Sequence, residues 1–421
     1  MLGLPSLVVA LLVAEAEPAP PGVLTERVFE SYKGRVAQIR ILEASSATKS
    51  AIGSAFFVDA EGRLVTNYHV VSSMVQHPDR FTAELVREAR PAARVKVLDI
   101  DVVHDLALVQ SSERPDAFFA IAPVKVEQGT RLYSFGNPRD LGISIVEGTY
   151  NGPIQESLYE RLHFTGSINR GMSGGPTVTA DGTVVGVNVA TGGDQVGFLV
   201  PVEHAVALLD RAVSGETNTA TLLVRAKDQL LENQETLTAD LLATPLPAVD
   251  LGARQAPGRW SSALKCWGDA GSEEKKPYQL TDYYCFSEEE VYVSEAQRTG
   301  FVKYRHQHVT SAELGPFRFA SLVQSLFAES VEYDEVEASQ EDVGEYQCRT
   351  RFIEHGPTRL RAVLCLRAYK KLPGLYDLVL RAGSVTSADE ALLTTLVLSG
   401  FSSENALALA RHYLEAVKWK D

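Results

Sequence analysis

The sequence predicts a mainly β protein: two six-stranded antiparallel barrels, then a helical segment and a smaller α+β domain. Three observations lead there. From about Gly34 to Val200, short β-rich runs alternate with turn signals at the spacing of an all-β barrel or sandwich. Helical periodicity without internal Gly or Pro then covers Thr219 to Leu242. Finally, 421 residues exceed what a single core comfortably serves, so two domains are expected.

Taken in order, Met1 to Ala14 is almost wholly apolar and leads into Ala14-Glu15-Ala16, which predicts a signal peptide over residues 1–16 cleaved after Ala16. The run is too short for a membrane span and contains Pro5. Glu17 to Gly22 is a stiff extended lead-in. The first domain, residues 23–212, contains strands such as Val36 to Leu42, Gly53 to Val58, Leu64 to Asn67, Arg94 to Leu98, Leu106 to Gln110 and Thr183 to Val189. Turns at Asp59-Ala60-Glu61-Gly62, Asn151-Gly152-Pro153 and Ala180-Asp181-Gly182 separate them. Pro201 to Ala212 closes the domain as a helix. Residues 213–258 are expected to be a helical segment followed by a linker, because Pro245, Pro247 and Pro257 break any regular pattern.

Residues 259–421 form the expected α+β domain. Trp260 to Val309 alternates like strands, and Glu345 to Ile353 with Leu360 to Tyr369 makes a hairpin across Glu354-His355-Gly356-Pro357. Ser387 to Ser399 and Ser403 to Trp419 are predicted helical. No internal repeat is present, and the acidic stretches at 288–290 and 332–345 are expected as solvated loops.

Charge and cysteine usage narrow the class. A formal net charge of −14 argues against a nucleic-acid partner, which would require clustered Lys and Arg. No later segment is apolar enough to cross a bilayer, so no stable membrane span is expected. Cys266, Cys285, Cys348 and Cys365 all lie in the second half; behind an export signal they imply two disulfides in an oxidising compartment. Three connectivities exist, of which the sequence-local pairing, Cys266 with Cys285 and Cys348 with Cys365, is the one expected. No C-x-x-C pair with histidine at ligand spacing supports zinc. His306-Gln307-His308 puts two imidazoles on one strand face with no third ligand, which reads as a solvated strand rather than a metal site.

The chemistry begins at Gly171-Met172-Ser173-Gly174-Gly175-Pro176. A serine hydroxyl needs a base to take its proton and donors to hold the oxyanion that forms. Glycines on both sides allow a tight loop with outward-facing amides, so Gly171 and Ser173 are the candidate oxyanion donors. Gly53 to Val58 turns into Leu64-Val65-Thr66-Asn67-Tyr68-His69-Val70-Val71, placing His69 at a barrel rim. Val103-His104-Asp105-Leu106-Ala107-Leu108-Val109 opens an apolar strand with an acid able to accept the base's Nδ1–H. Asp101 competes with Asp105, which is favoured because it abuts the strand; His104 reads as an exposed neighbour.

These blocks, in the order His, Asp, Ser, resemble the trypsin-like serine proteases of the HtrA/Deg-like branch. Ser134-Phe135-Gly136-Asn137-Pro138, Gly166 to Gly171, Val185 to Val189 and Gly197 to Pro201 resemble other stretches of that branch, and the likeness covers about Val28 to Asp210. The resemblance implies a chymotrypsin-like fold and peptide-bond hydrolysis through an acyl-enzyme. His69 would be base then acid, Asp105 its orienter and Ser173 the nucleophile, with no cofactor. It also implies that Ser167, Ile168 and Asn169 approach the primary substrate pocket and that Asn188 to Ala190 wall it; without an acid at its base, a small to medium apolar residue is the expected preference.

The departures carry information. Met172 stands where zymogen-activated relatives have an acid, and a thioether cannot pair with a new N-terminus. No Ile-Val-Gly-Gly activation site is present. After Ala212 no Gly-Leu-Gly-Phe-like carboxylate-binding loop marks a PDZ domain, so recruitment, oligomeric state and chaperone function do not carry over. The expectation is an exported serine endopeptidase, periplasmic or secreted, acting on protein or peptide substrates, with envelope protein quality control as a setting. The alternative is a silent or latent protease-fold module controlled by its C-terminal domain.

Overall fold

Twelve of the strands close into two barrels. The structure, a computed structural model, describes residues 21–193, 195–212, 219–252, 254–271, 276–333, 336, 338–355, 358–384 and 387–419; the expected signal peptide lies outside them. A helix α1 (Pro21–Tyr32) precedes the first barrel, built from β1 (Val36–Glu43), β2 (Lys49–Phe57), β3 (Arg63–Thr66), β4 (Phe81–Val86), β5 (Ala93–Asp101) and β6 (Leu106–Ser111). Helix α2 (Tyr68–Gln76) joins β3 to β4. The second barrel holds β7 (Arg131–Gly136), β8 (Ser144–Pro153), β9 (Leu162–Thr165), β10 (Pro176–Val178), β11 (Val184–Gly193) and β12 (Val196–Pro201). Both close, in the orders β1-β2-β3-β6-β5-β4 and β10-β11-β12-β9-β8-β7. Closure leaves neither barrel an open edge.

Helix α2 takes over from the strand expected to end at His69, and the sequence alone assigns it no element. Packing settles it despite the β-branched Val70 and Val71: Tyr68, Val71 and Val75 are buried against the first barrel. The barrels meet over a shared core in which Phe56, Val65 and Leu108 face Tyr133, Phe135 and Val187, with Val28 of α1 and Val202 of the closing helix α3 (Val202–Arg211) packed on it.

The expected helical segment forms, and it packs on both domains. Helix α4 (Thr219–Ala243) buries Leu222, Ala226 and Leu230 against the first barrel and Leu241 in the core of the second domain. Asp99, fully buried, pairs with Arg211 of α3 and Arg225 of α4 and pins both to β5. The proline-containing stretch that follows forms β13 (Ala248–Leu251) and β14 (Arg254–Pro257). Prolines end these short strands without interrupting a ladder.

The C-terminal domain continues with β15 (Leu264–Gly271), β16 (Gln279–Ser287), the hairpin β17 (Val291–Ser294) and β18 (Gln297–Thr299), and β19 (Phe301–Thr310). Then come α5 (Pro316–Tyr333), β20 (Gln347–His355), β21 (Thr358–Ala368), β22 (Tyr376–Ser384), β23 (Glu390–Phe401), α6 (Ser403–Glu415) and β24 (Lys418–Trp419). Its sheet is antiparallel in the order β15-β16-β19-β23-β22-β21-β20, and β24 pairs with β14. Ser387 to Ser399, expected as helix, is largely the central strand β23, buried at nearly every position between two neighbours. A strand buried on both faces has no alternation, so period alone does not separate it from a buried helix. Disulfides join Cys266 to Cys285 and Cys348 to Cys365, each across directly facing residues of paired strands.

His306 does not lie on a solvated strand. Its ring is fully buried, its Nε2 bonds the Pro257 carbonyl at 2.8 Å and its Nδ1 meets Thr394 Oγ1 at 2.8 Å; His308 bonds Glu390. The acidic stretch 332–345 also departs from a solvated loop: Val336, Asp342 and Val343 are buried.

Candidate active site

The turn Val102 to Asp105 ends with Asp105 at φ 59°, a left-handed conformation that Asp tolerates better than most residues. This bend lets one residue make four hydrogen bonds. Its carbonyl accepts from Tyr68 N at 3.1 Å and Asn67 Nδ2 at 2.8 Å, while its carboxylate accepts from His69 N at 2.8 Å and meets His69 Nδ1 at 2.6 Å. The acid thus holds both the first turn of α2 and the imidazole, which fixes the ring's tautomer with Nδ1–H facing Asp105. Asp101 is engaged elsewhere: it bonds His104 Nδ1 at 2.9 Å. His104 is not a bare exposed neighbour, since its ring stacks on His204 with centroids 3.6 Å apart.

Ser173 lies in the loop between β9 and β10, which the barrels clamp from both sides. Gly171 has φ 98° and Gly174 φ 85°; a Cβ on Gly174 would lie 2.2 Å from the Ser54 carbonyl. Only glycine fits there. The loop's carbonyls are all engaged. Arg170 C=O accepts from Arg139 N at 3.0 Å, Gly171 C=O from Ser54 Oγ at 2.7 Å, and Met172 C=O from Gly175 N at 3.0 Å and Asn188 Nδ2 at 3.2 Å. Every peptide bond is trans, so a pinned carbonyl turns the following N–H the opposite way. The Arg170 and Met172 carbonyls so turn the amides of Gly171 and Ser173. Among the described residues neither donates a hydrogen bond, whereas Met172, Gly174 and Gly175 all do. Two idle amides beside a serine form a place for an oxyanion.

Ser173 and His69 line one cleft, and no hydrogen bond yet joins them among the described residues. A loose nucleophile–base contact is common before substrate binds. Met172 explains how the loop holds its shape without an ion pair. The side chain is buried in the core of the second barrel with Leu132, Phe164, Ile168 and Leu199, and packs so closely that a Cβ on Gly136 would meet it at 2.8 Å.

The expected substrate pocket fares unevenly. Ser167 and Asn169 are exposed next to the nucleophile loop, and Ile168 is buried against Met172. Asn188 is not a pocket wall: it is fully buried, its Nδ2 donates to Phe135 C=O and Met172 C=O, and its Oδ1 accepts from Ser134 and Thr177. An amide with all its bonding capacity used inside the barrel acts on the loop, not on substrate. The side chain of Ala190 lies outside the described residues.

One feature had no signal in the sequence. Tyr292, on the C-terminal domain's β17, sits with its ring 5.6 Å from that of His69. Burial raises its phenol's pKa above the ordinary value, against a hydrogen bond with Ser72.

Two closed six-stranded barrels with a histidine, an acid and a serine brought to one cleft are the arrangement the comparisons with known proteins address. Residues 53–187, about a third of the chain, match the family model of the trypsin-like peptidase domain. Over 178 residues the chain is 31% identical to the "Probable periplasmic serine endoprotease DegP-like" of Rhizobium meliloti, an alignment covering 40% of this chain and 34% of that protein. It is 27% identical over 199 residues to Protease Do-like 1, chloroplastic, of Arabidopsis thaliana, covering 43% and 44%. The crystal structure of Deg5 aligns over 46% of this chain and 95% of its own, at 24% identity and a TM-score of 0.40. The chain spans about a third to a half of the length of the curated relatives it matches.

Proposed function

We propose that this chain is an exported serine endopeptidase. Ser173 Oγ attacks the scissile carbonyl while His69 takes its proton; the amides of Gly171 and Ser173 receive the oxyanion. His69 then returns the proton to the leaving amine, and Asp105 holds the imidazole in register and stabilises its charged form. Water hydrolyses the acyl-enzyme by the same steps in reverse.

The observation that carries this reading is the pair of idle amides, set by the preceding carbonyls bound to Arg139, Gly175 and Asn188. Such a hole is ready before substrate arrives, which disfavours a silent or latent module. One oxyanion donor contributes about 3 kcal/mol to the transition state. Export rests on the apolar leader, the two disulfides and the periplasmic description of relatives. Among the described residues no helix is long and apolar enough to cross a membrane. Envelope protein quality control is the setting we propose for an exported endopeptidase acting on protein substrates.

The test is time-dependent labelling of the full mature chain by a fluorophosphonate, with Ser173→Ala as control and casein hydrolysis alongside. Labelling and proteolysis that both vanish in Ser173→Ala support the reading. A folded wild-type chain that does not label overturns it. N-terminal sequencing of exported protein, expected to begin at Glu17, tests the leader.

A further inference from the structure

The cleft containing His69 and Ser173 extends between the two domains, with a volume of about 750 Å³. That is the size of a site for several residues of a peptide, not for water alone. One side is the barrel domain, with Ala51, Ile52 and Val70; the other is the hairpin β17–β18, with Tyr292, Glu295 and Arg298. Ser167 and Asn169, expected at the primary pocket, do not line it. The cleft therefore runs from the nucleophile away from those residues and along His69, the group that returns a proton to the leaving amine, with the Tyr292 ring 5.6 Å from the imidazole.

The hairpin is fixed, not draped. Successive strand residues face opposite sides. Val291 and Val293 accordingly enter the core shared with Tyr68 and Val71, and Tyr292 and Ser294 turn to the cleft. Tyr68 Oη donates to the Val293 carbonyl at 3.1 Å, and Ser294 Oγ bonds Asp342 at 3.2 Å. The Arg298 guanidinium lies 4.1 Å from the Tyr292 ring centre and donates to Ser294 C=O at 2.6 Å. The phenol ring is thus held rigid between Arg298 and His69.

We propose that β17–β18 forms the subsite for the substrate residue just after the scissile bond, and that Tyr292 selects a bulky apolar or aromatic side chain there. The inference rests on Ser173 being the nucleophile. It gives the C-terminal domain a role in substrate binding. A rigid, half-buried aromatic beside the catalytic base offers a face for stacking, and Ala51, Ile52 and Val70 set an apolar strip among the polar residues of the barrel wall.

Acyl transfer tests the subsite separately from acylation. The full-length protein is acylated at Ser173 with a p-nitrophenyl ester, and phenylalaninamide or glycinamide competes with water for the acyl-enzyme. The amine nitrogen attacks the ester carbonyl, a C–N bond forms and the C–Oγ bond breaks. The amine's proton passes to His69, which protonates the departing Ser173 Oγ. The wild type should favour phenylalaninamide over glycinamide about tenfold, Tyr292→Phe should keep that preference, and Tyr292→Ala should reduce it about fivefold. The p-nitrophenol burst counts folded sites; should Tyr292→Ala lose the burst, Tyr292→Leu takes its place in the comparison. Equal partition to both amines in the wild type, or a preference untouched in the variant, overturns the subsite. A variant that acylates faster overturns it too, marking Tyr292 as a cover over the cleft. A folded wild type with no burst overturns the peptidase reading itself.

Discussion

Asp105 shows how much of the site one residue carries. Its side chain orients His69, its backbone binds Tyr68 and Asn67, and its positive φ makes both reachable. Asp105→Asn keeps the shape yet can hold the wrong tautomer, so kcat should fall by about 10⁴ with KM little changed, read from steady-state peptide hydrolysis. Ser54 is a residue to which sequence reasoning gave no role. Its hydroxyl donates to Gly171 C=O and accepts from Asn137 N at 2.9 Å, fully buried. Ser54→Ala releases the carbonyl that keeps the loop's shape and orphans an amide, so kcat should fall about tenfold and stability by about 1–3 kcal/mol. Stability from urea unfolding and kcat from the same sample separate the two effects.

At the scale of elements, legibility followed local chemistry. The strands flanking the Asp59 turn were readable because that side chain caps its own bend, accepting from Glu61 N and Arg63 N at 2.9 and 3.0 Å. α2 goes unassigned in the sequence and β23 reads as helix because each is decided by distant partners, which no window of sequence contains. His306 belongs to the same lesson, since its burial comes from β14, β23 and α6 closing over it. The Pro257 carbonyl can only accept, so Nε2 carries the proton and Nδ1 accepts from Thr394, whose hydroxyl Tyr413 supports at 2.6 Å. Burial lowers its pKa from 6.5 to about 4. Between those values the unfolded chain binds more protons, so stability is full above about pH 6.5 and declines toward pH 4, by about 3 kcal/mol in all. Urea midpoints at several pH values should show this slope, and His306→Gln should flatten it. The disulfides act on the same sheet. Opening either loop, 19 or 17 residues in span, should cost about 3 kcal/mol, measured by unfolding of Cys-to-Ala pairs.

Across the whole molecule, the expectation of a protease joined by a linker to a second domain meets a core cluster that the two domains share. Leu372 and Leu375 follow β21 in the second domain, yet they share a cluster with Val71 and Val75 of α2 and Leu230 of α4. The sequence could not disclose this, because the two sides of the contact lie some three hundred residues apart and neither carries a pattern that names the other. His69 stands in the first turn of α2, so the second domain packs on the helix that presents the catalytic base. Leu375→Ala removes a fully buried side chain from that cluster and should cost about 2–5 kcal/mol. If the domains are one cooperative unit, fluorescence of the domain-two tryptophans and loss of fluorophosphonate labelling at Ser173 will move together to lower urea in this variant. If the barrels fold alone, the labelling midpoint will stay where it was while the tryptophan transition shifts.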